Sequence, residues 1–280
     1  MPAAAQAEWH EAQSTNFVIY ADDSERDVRR FAERLERFHA AMANLIGRDP
    51  EPPSPSNRVT VFVVGSQRQV ARLAGDGRGN IAGFYIPRAG GATAFVPDVR
   101  VGGRTQDFSM TVLLHEYTHH LMHTTSTFAA PRWLGEGTAE FFSSTRFSED
   151  GGLSFGLPAA HRYAELVYFN VPVSDLLDPQ AGARPNRDGY YGKAWALYHY
   201  LTFEESRRGQ LARYVEALNQ GQSMAEAAAA AFGDLDSLGR EVDAYLRRSR
   251  IMSLRYEADQ LETGTISLRA LREGEAAMMA

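Results

Sequence analysis

No cysteine occurs among the 280 residues, which excludes disulfides, thiolate nucleophiles and Cys-ligated zinc or iron–sulfur sites, so any metal must be held by histidine and carboxylate. The same absence leaves the redox compartment open. No apolar run approaches the ~18 residues that a membrane-spanning helix needs. Basic charge is not in excess either: Lys and Arg number 29 against 35 Asp and Glu, a net charge of −6. That balance offers no surface to concentrate on phosphates and argues against nucleic acid or an anionic membrane as partner. Met1–Ala7 is Ala-rich, with no basic n-region and no apolar h-region, so a complete signal peptide is not expected there. The glycine-rich stretch Gly75–Gly79 lacks the Lys-Ser/Thr ending of a phosphate loop and reads as a plain loop.

What is present is an ordinary globular composition, 44% hydrophobic and 23% charged, at a length that suits one large domain or two small ones. Phe17-Val18-Ile19-Tyr20 reads as a buried strand. After Ser24, the apolar residues Val28, Phe31, Leu35, Phe38 and Met42 recur at steps of three and four and predict an amphipathic helix ending at Gly47. Val59–Val64 predicts a second strand, Ser66–Leu73 a short helix, and Phe84–Ile86 with Ala92–Val96 a hairpin. From about Asp107 the pattern is mostly helical, with candidates near 109–123, 133–146, 158–169, 191–206, 210–219, 224–232 and 237–249. Ser223 and Glu226 have capping-box spacing, and Asp150-Gly151-Gly152 reads as a tight turn between two helices. Ile266–Ala280 begins one more helical pattern, and the natural protein is expected to continue past it.

The chemistry concentrates in His115-Glu116-Tyr117-Thr118-His119, an H-E-x-x-H pattern on a candidate helix. Residues four apart lie one above the other on a helix, so both imidazoles project to one side and can share a Zn²⁺ ion, while Glu116 is offset to act as a base on a water. A third ligand is needed. Glu136 and Glu140, four apart after Pro131 on the next predicted helix, share a face. That allows Glu136 to bind the metal while Glu140, one turn on, accepts the free N–H of a ligating histidine. His120 and His123 adjoin the motif, and a histidine near a helix C-terminus also suits the dipole there. His10, His39, His161 and His199 have no constellation and read as structural or surface residues.

These residues resemble the gluzincin metallopeptidases, most closely the bacterial peptidase MA-like group related to thermolysin and the zinc aminopeptidases. His115–His119 is similar to the zinc helix. Trp133-Leu134-Gly135-Glu136-Gly137-Thr138-Ala139-Glu140 resembles the W-L-x-E-G-x-A segment that carries the glutamate ligand, which implies Glu136 as ligand and leaves Glu140 outside the metal's first ring of contacts. Sixteen residues separate His119 from Glu136, a little fewer than in the aminopeptidases. Tyr191-Gly192-Lys193-Ala194-Trp195-Ala196-Leu197 is similar to Y-x-K-G-x-A-L, whose tyrosine stabilises an oxyanion, and implies that role for Tyr191. The three blocks span about 107–201. One departure matters: where the aminopeptidases carry a G-x-M-E-N segment, Gly90–Pro97 holds no carboxylate to grip a substrate's free amine. That disfavours exopeptidase action and favours an endopeptidase. Ala92–Val96 reads either as an edge strand open to an extended peptide or as an interior strand.

The expectation is therefore an α+β, zincin-like fold, with a small N-terminal sheet lobe over 1–106, a helical lobe over 107–280 and the active site between. Zinc would be held by His115, His119 and Glu136, with Glu116 as general base, Tyr191 at the oxyanion and Glu140 in support. The activity expected is peptide hydrolysis. The alternatives are a catalytically silent module that binds an extended peptide or partner protein, and a structural zinc with His123 or Glu140 as fourth ligand. Family habit points to a secreted or periplasmic location.

Overall fold

The computed structural model describes residues 9–47, 51–75, 81, 83–87, 91–98, 108–125, 130–177 and 188–279. Met1–Ala7 and all but the first residue of the Gly75–Gly79 loop lie outside them. The protein is α+β, as its pattern predicts. Its contacts divide it into two compact units, Met1–Glu116 with Arg146–Leu153 and Arg255–Ala280, and Tyr117–Thr145 with Ser154–Leu254.

In the first unit, β1 (Trp9–Gln13), β2 (Phe17–Asp22), β3 (Val59–Val63), β4 (Phe84–Ile86), β5 (Thr93–Val96) and β9 (Ser267–Ala270) form a six-stranded sheet of order β4-β5-β3-β2-β1-β9. Its centre, β2, β3 and β5, is parallel, and β4, β1 and β9 join antiparallel. Period-two alternation sorts the faces. Phe17, Ile19 and Ala21 and their register partners Val59, Val61 and Val63 are buried, as are Val28, Phe31, Leu35, Phe38 and Met42 of α1 (Glu25–Ile46). On the alternate positions Tyr20, Phe62, Phe95 and Phe84 stack across four strands, with ring centroids 5.3, 5.2 and 4.6 Å apart. The Ser24 side chain caps α1, and Gly47 ends it in the left-handed region at φ 69°, which only a residue without Cβ enters freely. Buried Glu36 on α1 accepts from the backbone N and Nδ2 of Asn16, both at 2.7 Å, and so ties the helix to the start of β2. The short helix α2 spans Gln67–Leu73 with Ser66 as its cap.

Two sequence expectations need correction here. Ile266–Ala280 is not one helix: it forms β9 and then α11 (Glu273–Ala277). The strand pairs with β1, and Arg269 meets Glu11 at 2.7 Å, so a partner more than 250 residues away overrides the local helical pattern. Asp150–Gly152 turns between two strands, β6 (Arg146–Phe147) and β7 (Leu153–Phe155), closed by Ser148 N donating to Gly152 O at 2.8 Å. With β8 (Leu254–Tyr256) they make a second sheet of order β6-β7-β8. Of the two readings of Ala92–Val96 the interior one holds, since β5 lies between β3 and β4.

The second unit is helical. α4 (Arg132–Ser143) packs on α7 (Tyr190–Phe203), surrounded by α5 (Tyr163–Tyr168), α6 (Val173–Leu177), α8 (Gln210–Asn219), α9 (Met224–Phe232) and α10 (Leu235–Leu246). The predicted capping box opens α9, with Ser223 N donating to Glu226 and Glu226 N to Ser223 Oγ. Gly137 is required where α4 meets α7: a Cβ there would stand 2.6 Å from Ala194 O.

His199 on α7 is fully buried, its Nε2–H donating to Gly156 O at 2.8 Å and its Nδ1 accepting from Tyr245 Oη at 2.9 Å. That pairing suits the neutral ring, and burial pushes its pKa down from 6.5 to about 4. A depressed histidine pKa contributes stability that is complete above 6.5 and is lost as the pH falls from there towards 4, because the unfolded chain then binds the extra proton. We expect this group to remove about 2 kcal/mol between pH 6.5 and pH 5. Urea unfolding of wild type and His199→Gln at both pH values tests it: the variant should lose distinctly less on acidification, and equal losses would show that His199 does not carry the effect.

Candidate metal centre

The helix α3 (Phe108–Thr125) buries Leu113, Leu114, Tyr117, Thr118 and Leu121. The helical pitch then leaves His115, Glu116 and His119 half-buried on the side that the core does not claim. α4 follows Pro131 and is anchored by the fully buried Trp133, whose indole N–H donates to Tyr214 Oη at 3.1 Å. Three residues on, Glu136 stands beside His119: a Cβ on neighbouring Gly135 would be 3.8 Å from the His119 ring.

One ligand atom from each of His115, His119 and Glu136 lies within 4.8 Å of the other two, so the three form a group able to hold a metal ion. Two atoms bound at ~2.0–2.1 Å to one tetrahedral ion sit ~3.3 Å apart. His119 Nε2 and Glu136 Oε2 are 3.2 Å apart, which fits that edge without rearrangement. Their side chains keep 23% and 17% of their surface, so water reaches the donors. Among the described residues this group includes neither His123, which is exposed with its ring 6.3 Å from that of His119, nor Glu140.

Glu140, one turn beyond Glu136, has no exposed surface. One of its oxygens meets His161 Nε2 and the other Arg162 Nη2, each at 2.6 Å. Arg162 continues to Glu165 at 2.9 Å, and Glu165 accepts from Gly192 N at 2.8 Å in the first turn of α7. Tyr191 lies in that turn. The Arg162 guanidinium stands 4.6 Å from its ring centre, and Arg132 Nη2 donates to its hydroxyl at 3.4 Å. Arg132 also faces Glu136, with Nε 4.0 Å from Oε1. Arg132 therefore links the tyrosine singled out by the third sequence block to the carboxylate of the second.

Glu116 has its own neighbour in Tyr85 of β4. Burial, and after it the charge of Glu116, holds the Tyr85 phenol well above its ordinary pKa of 10.0. Burial followed by the proximity of His123 lowers the pKa of His120.

Sequence reasoning missed Arg132, Arg162, His161 and Tyr85. Arg132 had a usable signal, since it stands four residues before Glu136 at helical pairing distance. The other three come from distant segments with no motif of their own.

No family model matches the chain, and no curated protein matches it.

Glu140 is a buried carboxylate held by an ion pair with Arg162 and a contact with His161. Glu140→Gln should lower the unfolding free energy by about 3 kcal/mol, since breaking one side of a buried ion pair leaves the other uncompensated. Denaturant unfolding near pH 7 measures it, and a loss below ~1 kcal/mol would show that the Arg162 and His161 contacts are not structural.

Proposed function

We propose that this chain is a zinc-dependent peptide hydrolase of gluzincin type, acting as an endopeptidase. The observation that carries the proposal is the convergence of His115, His119 and Glu136 on one potential ion position, with Glu116 on the same helix as both histidines. Two imidazoles and one carboxylate are the donor set of a catalytic zinc that keeps an open coordination position. Bound there, zinc would supply Lewis-acid polarisation of the scissile carbonyl and acidify a water.

The remaining work falls to the chain itself. Glu116 takes a proton from the attacking water as its oxygen bonds to the carbonyl carbon, then passes it to the amine nitrogen as the C–N bond breaks. Tyr191 donates to the oxygen on which negative charge develops, an interaction worth about 2.7–4 kcal/mol where the donor is preorganised. Arg132 and Arg162 supply that preorganisation, by a hydrogen bond to the hydroxyl and by stacking near the ring. The endopeptidase reading is supported by residues 91–97, which bring no carboxylate to hold a free N-terminus.

Metal content by mass spectrometry, with cleavage of an unstructured protein substrate, tests the proposal. Wild type should hold one zinc per chain, His119→Ala and Glu136→Ala should lose it, and Glu116→Gln should keep it while hydrolysis falls by about 10²–10⁴. Absence of zinc under metal-replete conditions, or unchanged hydrolysis in Glu116→Gln, would overturn the mechanism. Zinc in the wild type with no cleavage would move the balance to a peptide-binding module.

A further inference from the structure

A cavity of 870 Å³ opens within the helical unit, and none of His115, Glu116, His119 or Glu136 lines it. The size lies within the ~300–1,000 Å³ usual for ligand sites. One wall is α5 and the residues after it. Four of the nine large hydrophobic side chains that stand exposed among the described residues, Tyr163, Val167, Tyr168 and Phe169, line this cavity. Such a concentration is not the scatter of single apolar residues that a protein surface ordinarily shows. Leu246 and Ile251 extend the apolar lining on the side of α10.

The charges on the same walls are of one effective sign. The two acids are engaged internally: Asp243 with Lys193 at 2.5 Å, and Glu165 with Arg162 and Gly192 N. Three arginines, Arg247, Arg248 and Arg250, crowd into the four exposed residues that follow α10 and form the rim. Arg248 pairs with Glu204 at 3.0 Å and lies over the Tyr245 ring. Arg247 and Arg250 face no carboxylate partner among the described residues. A cationic rim on a chain of net charge −6 is a local inversion, and guanidinium is suited to planar or tetrahedral oxyanions. The inner wall includes Trp195, whose buried indole N–H meets no acceptor among the described residues.

We propose that this cavity binds a single-chain anionic amphiphile, its apolar chain along α5 and Leu246 and its head group at Arg247 and Arg250. Titration calorimetry of the full chain with dodecanoate, dodecyl phosphate and dodecyltrimethylammonium, each below its micelle concentration, tests it. One saturable site per chain is expected for an anionic probe, and the stronger of the two anions identifies the head group. The cationic probe should bind at least tenfold more weakly, and chelator-treated protein should bind the anion as the untreated protein does. Arg247→Glu/Arg250→Glu alters only exposed residues, leaves folding intact by circular dichroism and should weaken the anion at least tenfold. Equal binding of cation and anion, no saturable binding of either anion, or unchanged affinity in the double variant would overturn the proposal.

Discussion

The contact between Gly137 and Ala194 is the constraint on which the helical unit depends. A Cβ at 137 would stand 2.6 Å from Ala194 O, so α4 and α7 touch backbone to backbone there. Glycine inside a helix costs about 1 kcal/mol against alanine, and what that cost secures is register. Glu136 immediately precedes Gly137, and Tyr191 lies three residues before Ala194. A slip of one residue along either helix turns its side chains by about 100° and would take Arg132 away from the Tyr191 hydroxyl that it now meets at 3.4 Å. The relation between the metal-capable carboxylate and the tyrosine is thus set by a close approach that only glycine permits.

α7 explains why this unit carries so many polar groups in its interior. The helix is buried on nearly every side, so polar side chains that would usually face water must find internal partners. Lys193 reaches Asp243, Tyr200 donates to Glu241 and His199 is held between Gly156 and Tyr245. Each of these bonds has one geometry, and together they orient the helix about its own axis. A purely apolar α7 would pack as tightly and fix its rotation less well. Rotation matters because Tyr191, in the first turn, has to meet two arginines at once.

What was legible in the sequence was whatever has a local period. The sheet centre and α1 follow from alternation and from three- and four-residue steps, and of the group that could hold a metal ion the two histidines follow from H-E-x-x-H, while Glu136 was singled out from Glu140 by the resemblance of its segment. β1 and β9 were not legible. They are stabilised by each other across the length of the chain, and the local pattern at Ile266–Ala280 favours helix until Glu11 and Arg269 meet. Arg162 and His161 were missed for the same reason: their roles exist only once α4 and the segment before α5 come together. The stack of Tyr20, Phe62, Phe95 and Phe84 lies between these cases, since each residue sits in a recognised strand while the stack depends on register.

Spacing alone cannot separate Glu136 from Glu140, because both project from one face of α4, one turn apart. Environment does. Glu140 is sealed from water, with His161 on one oxygen and Arg162 on the other, and in this it is like Glu36, which is buried and takes two hydrogen bonds from Asn16. Carboxylates so placed have their lone pairs engaged and serve to join segments. Glu136 keeps surface, touches His119 at 3.2 Å, and stands 4.0 Å from Arg132 Nε. A ligand has to be reachable and close to its fellow ligands, and the surface Glu136 keeps and its approach to His119 meet both conditions. Two like residues four apart on one helix differ in this way by depth: the outer belongs to a group that could hold a metal ion, and the inner ties the helix that presents it to its neighbours.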